Sequence, residues 1–165
     1  QAEAAMAEGD YTEALTLLRQ AWNDSNQEHG ITMAYAHALI EAMRLDEAET
    51  VLDGVRMADK DATYEQLCAQ LEIKREASKS PEIEALEQKL ADSPDDLDVR
   101  YQLGVQYTDN GQFREAMEHL VEILRKDLDH GEGAAKRMLL DTISSLGKGD
   151  PLAVEYQRKL YSLLY

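Results

Sequence analysis

Apolar residues recur along this chain with a helical period. Tyr11, Ala14, Leu15, Leu18 and Ala21 share one helix face, Tyr64, Leu67, Cys68 and Leu71 a second, and Phe113, Ala116, Leu120 and Ile123 a third. Between such stretches stand turn formers: Gly9-Asp10, Ser80-Pro81, Gly111-Gln112, Gly147-Lys148-Gly149 and Asp150-Pro151. Ser80 and Asp150 are capping residues, each followed by a proline at the first helical position, where its missing N–H has no intrahelical partner to lose. The pattern predicts about ten helices and no strand.

The helical stretches repeat. Gly9-Asp10-Tyr11-Thr12-Glu13-Ala14-Leu15 is answered by Gly111-Gln112-Phe113-Arg114-Glu115-Ala116-Met117, with Leu45-Asp46-Glu47-Ala48-Glu49 between them. Ala14 and Ala48 are 34 positions apart, and Ala48 and Ala116 are twice 34 apart. A 34-residue period of helix pairs is that of tetratricopeptide repeats. The expected fold is therefore an all-α tetratricopeptide-repeat α-solenoid, about four helix pairs plus a C-terminal capping pair. It reads as a single domain over 1–165, with repeats at about 1–28, 29–62, 63–96 and 97–130 and capping helices over 131–165. Gly104 and Ala116 are small where partner helices cross closely, and Gly111 ends a helix where positive φ is favoured. The second repeat puts Met43 at that helix end, and the third puts Glu82 where alanine is expected, so its second helix should be shifted or splayed.

Charge narrows the partners. The 33 acidic and 17 basic residues give a net charge of −16, a field that repels phosphate and disfavours nucleic acid and anionic membranes. The imbalance is local: residues 131–165 carry five bases and four acids, leaving the excess of acid in the first 130. No apolar run approaches the roughly 20 residues of a membrane span, and no signal peptide is visible. The chain opens on helix-forming residues without a methionine, as a fragment would. Its one cysteine, Cys68, fits a reducing, cytoplasmic setting.

Candidate chemistry is sparse. Cys68 lies on an apolar stripe and reads as a small core residue. His29, His37, His119 and His130 show no metal-ligand spacing, and the acidic stretches 92–98 and 127–132 lack the ligand order of a calcium loop. No phosphate loop or nucleophile elbow occurs. Neither enzyme, cofactor nor metal site is expected. Binding surfaces are better candidates. The groove-lining positions of the first helices carry Met33, His37, Leu67, Tyr101 and Val105, an apolar set suited to an apolar segment unless local packing covers it. The last helix has two faces. Leu152, Tyr156, Leu160 and Leu163 should pack inward, while Val154, Arg158, Tyr161 and Tyr165 should face out to a partner, unless the helix sinks deeper into the domain.

The C-terminal sequence Leu124-Arg125-Lys126-Asp127-Leu128, then Gly147-Lys148-Gly149-Asp150-Pro151-Leu152-Ala153, then Tyr156 to Tyr165, resembles the end of the bacterial chaperedoxin (YbbN/CnoX) proteins. These carry a thioredoxin-like domain before tetratricopeptide repeats. The resemblance implies a co-chaperone that binds the chaperonin GroEL, DnaK and unfolded clients, with its thioredoxin-like domain outside this segment and no redox motif within it. The alternative is a generic tetratricopeptide scaffold joining cytoplasmic proteins without a folding role.

Overall fold

A computed structural model describes residues 1–165. Ten α-helices, α1 (Ala2–Glu8), α2 (Tyr11–Asp24), α3 (His29–Glu41), α4 (Leu45–Asp53), α5 (Ala62–Ala77), α6 (Pro81–Asp92), α7 (Leu97–Asp109), α8 (Phe113–Lys126), α9 (His130–Ser145) and α10 (Pro151–Leu164), form its regular structure, with a 3-10 turn at Met57–Asp59. This is the expected all-α tetratricopeptide architecture. The chain divides into two compact units, Gln1–Ser78 and Lys79–Tyr165. The boundary falls between the two helices assigned to the third repeat.

Three turns share one geometry. Gly9, Met43 and Gly111 take positive φ (76°, 58° and 74°). In each case the next residue's N–H reaches back five positions: Asp10 to Ala5, Arg44 to Leu39 and Gln112 to Tyr107. This bond satisfies a carbonyl orphaned at the helix end and aims the next helix back along the first. The turns recur at the same 34-residue period, so the sequence repeat is a repeat of backbone conformation. Met43 reaches a conformation that glycine adopts more cheaply. Arg44, the next residue, is buried and grips Glu47 with both Nε and Nη2 at 2.8 Å.

The equivalent turn is missing at Ala77-Ser78. There α5 continues through Ala77, and Ser78 stays right-handed. The next helix starts at Pro81, capped by the Ser80 hydroxyl, which accepts from Ile83 N–H. Strict register would have started it two residues earlier, by analogy with Leu45 and Phe113. Glu82 consequently stands where Ala14, Ala48 and Ala116 stand in the other pairs. Those three alanines are fully buried, whereas Glu82 is exposed and α6 buries only Ile83.

In the first unit α3 is central: it packs on α2, α4 and α5 and buries Met33, Tyr35, Ala36, Ala38, Leu39 and Ile40. Trp22 packs beside Tyr35 (ring centroids 5.5 Å apart) and donates its indole N–H to Thr32 Oγ1 at 3.0 Å. In the second unit α8 holds that place, packed on α7, α9 and α10, with Ala116, Met117, Leu120, Val121, Ile123 and Leu124 buried. Each fully buried leucine or isoleucine contributes about 1.5–3 kcal/mol relative to exposure. At the start of α9 the chain makes a left-handed turn, with positive φ at Gly131, Glu132 and Gly133, before the right-handed helix proceeds.

A β-carbon on Gly104 would lie 3.2 Å from Leu120 Cδ2 and 3.7 Å from the Ala116 carbonyl. Gly104→Leu should therefore cost about 1–3 kcal/mol by overpacking the α7–α8 crossing, read from the urea midpoint. A midpoint equal to the parent's would show that the helices do not cross at Gly104.

Candidate C-terminal docking face

Helix α10 begins at Asp150, whose buried carboxylate accepts from the N–H groups of Leu152 (2.9 Å) and Ala153 (3.2 Å). Pro151 fixes the first turn. Leu152, Tyr156 and Leu160 are buried against α8 and α9, with Leu163 half-buried beside them. The Tyr156 hydroxyl donates to the Glu118 carboxylate of α8. Lys159 sits 4.2 Å above the Tyr156 ring and bonds Glu118 at 3.5 Å and Glu155 at 2.9 Å, while Arg114 reaches Glu155 at 3.3 Å. Burial first, and the carboxylate of Glu118 second, push the Tyr156 phenol far above its usual range. Conversely, the Tyr156 hydroxyl, helped by Lys159, holds Glu118 below the ordinary carboxylate value, against the opposing effect of burial.

The opposite face of α10 is open. Tyr161 is 51% exposed and Tyr165 fully so, Arg158 is exposed with no ion pair, and Val154 is half-buried. The Tyr161 hydroxyl accepts from Gln157 Nε2 at 3.3 Å on its own helix. The structure thus places Val154, Arg158, Tyr161 and Tyr165 along one helix, the last three well in solvent.

The groove residues are placed differently. In the first unit Met33 (6% exposed) and Leu67 (5%) belong to the core, where they offer a partner little surface, and His37 alone is exposed. Met33 of α3 and Leu67 of α5 belong to the same hydrophobic cluster. In the second unit Tyr101 and Val105 are half-buried on α7, and Tyr101 packs against the core. Cys68 is half-buried against the first core. Its thiol should react slowly with a maleimide in the native state and quickly in denaturant; equally fast native labelling would remove it from the core.

Two features escaped the sequence. One is a cleft of about 610 Å³ in the first unit, whose lining includes Trp22, Thr32, Val51, Val55, Arg56 and Asp59. The other is a cluster in the second unit, where His119 stacks on Tyr107 and Arg100 approaches the imidazole. His119 stands three residues after the buried Ala116, a spacing that puts both on one side of α8, but only the fold shows what it meets.

Residues 5–71 and 76–165 each match a tetratricopeptide-repeat family. The chain belongs to that family. An uncharacterized protein of Haemophilus influenzae is 33% identical over 157 residues, covering 94% of this chain and 72% of the relative. The crystal structure of a domain of protein VP0806, of unknown function, from Vibrio parahaemolyticus superposes with a TM-score of 0.79 at 33% identity, covering all of this chain and 96% of that one.

These matches correct the chaperedoxin resemblance. The similar proteins are described as uncharacterized or of unknown function, the family shown is the tetratricopeptide repeat, and no thioredoxin-like sheet is present. The segments that suggested otherwise, a Gly-Asp-Pro start and a Leu/Tyr stripe, are what a capping helix needs to begin and to pack. A co-chaperone role and the partners GroEL, DnaK and unfolded clients lose their basis with it. Repeats of this kind serve as binding scaffolds and not as catalysts, and no helix is long and apolar enough to cross a membrane.

The Glu118 contacts carry a pH signature. Because the folded carboxyl is held below its ordinary value of 4.5, its contribution to stability is complete above that pH and is lost as the pH falls through the folded value. Glu118→Gln should flatten this part of the acid limb in urea midpoints measured across that range. An unchanged slope would show that the Tyr156–Glu118–Lys159 contacts do not hold α10.

Proposed function

We propose that the chain is a scaffold joining protein partners, and that the outward face of α10 is its docking surface. The observation that carries this is the exposure of Tyr161 and Tyr165 beside the unpaired Arg158, on a helix whose other face is already buried. Tyrosine and arginine are the residue types in which binding energy concentrates, since they offer large area with few rotamers to freeze. His37 on α3 and Tyr101 with Val105 on α7 form secondary contacts within their own units. The lone thiol of Cys68 supports a reducing, cytoplasmic setting for this role.

The test uses a partner captured on immobilised chain and then purified. Tyr161→Ala with Tyr165→Ala should weaken its binding by at least about 2 kcal/mol, read by calorimetry. The melting temperature should hold, because neither ring is in the core. Unchanged affinity would move the site to the α3 and α7 residues, and a large fall in melting temperature would make the tyrosines structural.

A further inference from the structure

Helix α6 is the least secured helix of the second unit. It buries one residue, Ile83, with Leu86 and Leu90 partly covered beside Leu103, Tyr107 and Ala116. Polar ties supplement that packing, among them the pairing of Lys126 of α8 with Asp95 in the link from α6 to α7. The Tyr107 hydroxyl donates to the Glu87 carboxylate of α6. Arg100 of α7 donates through Nη2 to the carbonyl of Pro94, in the link from α6 to α7, at 3.1 Å.

The Tyr107 and Arg100 ties converge on His119 of α8. Its ring lies parallel to that of Tyr107, with centroids 5.6 Å apart and 8° between planes. Its Nδ1 is 3.5 Å from Arg100 Nη1. A guanidinium is always a donor, so Nδ1 must accept and the imidazole must be neutral in this arrangement. A proton on Nδ1 removes the acceptor and sets two positive charges side by side. Arg100 has no carboxylate within ion-pair distance to absorb that change, and its Nε is already buried without a partner.

We propose that α6 is an acid-released helix. Protonation of His119 turns its contact with Arg100 repulsive and drives the guanidinium from its place between the imidazole and the Pro94 carbonyl, so the Arg100 tie is lost and α6, left on its short packed face, opens over the apolar surface around Leu103, Tyr107 and Ala116.

The charged groups around His119 act in both directions. Burial, the largest influence, and then Arg100 of α7 disfavour its protonation, whereas Glu87 of α6 and Glu118 and Glu122 of α8 favour it. Lys159 of α10 engages Glu118 and weakens that opposition. The outcome is an imidazole held below its ordinary value of 6.5. The unfolded or released state therefore binds the proton more readily. The neutral clasp is complete above that ordinary value and is lost as the pH falls through the window beneath it.

The measurement is amide hydrogen exchange of α6, corrected for intrinsic rates, from about pH 7.5 to about pH 5, with the His119 ring followed by NMR in the same samples. The amides of α6 should lose protection as His119 titrates, while those of α3 and α4 hold theirs. His119→Phe keeps an aromatic stack that cannot be protonated and should abolish the response. Should that variant fail to fold, Arg100→Gln should move the His119 midpoint upward and shrink the loss at α6. The proposal is overturned if α6 protection does not change with pH. It is equally overturned if the loss occurs away from the His119 midpoint, persists in His119→Phe, or is undiminished in Arg100→Gln.

Discussion

The close crossing of paired helices is the constraint on which the rest of this structure depends. Two helices approach closely only where one side chain is absent or reduced to a methyl group. Ala14, Ala48 and Ala116, all fully buried, supply that position at multiples of 34 residues. A left-handed residue followed by a five-residue backward hydrogen bond returns the chain so that each alanine meets its partner. Between α7 and α8 the second helix is met by a glycine, with Gly104 facing Leu120. Leucines on either side then interlock, because interiors packed at crystal-like density leave no slack for a larger group.

Where the constraint lapses, the architecture changes. Glu82 cannot occupy an alanine's crossing position without burying a carboxylate that has no partner, a cost far above that of leaving it in water. The Ser80-Pro81 start moves α6 two residues along, and the left-handed turn at Ala77 is not made. The two compact units divide the sequence at this point, between Ser78 and Lys79. The same lapse leaves α6 with one buried residue and gives polar contacts, those at Tyr107 and Arg100 among them, a larger share in its attachment. A helix held by packing is indifferent to mild acid, whereas a helix held by a neutral imidazole is not.

Much of this was legible in the chain itself. The period of 34, the small residues at crossings and the Asp150-Pro151 start gave the helix pairs and the two faces of α10, because each follows from local periodicity and capping chemistry. The groove was less legible. Met33 and Leu67 occupy surface-lining positions of the repeat yet are buried in the first core, since an apolar side chain at such a position packs inward wherever a neighbour leaves room. Long-range pairs were invisible: nothing local links Glu87 to Tyr107, or Tyr156 to Glu118, across 20 and 38 residues. The chaperedoxin resemblance misled for a related reason, since it rested on residues at the end of α8 and in the capping helices that report how a stack ends and not what it binds.

The ordering of helix stabilities tests the account most directly, through native-state hydrogen exchange of the whole chain at neutral pH. If small-residue crossings carry the fold, the slowest amides lie in α3 and α8, which bury the most side chains around such crossings, and the fastest lie in α1 and α6. Protection that is uniform along the chain, or that is highest in α6, would contradict it.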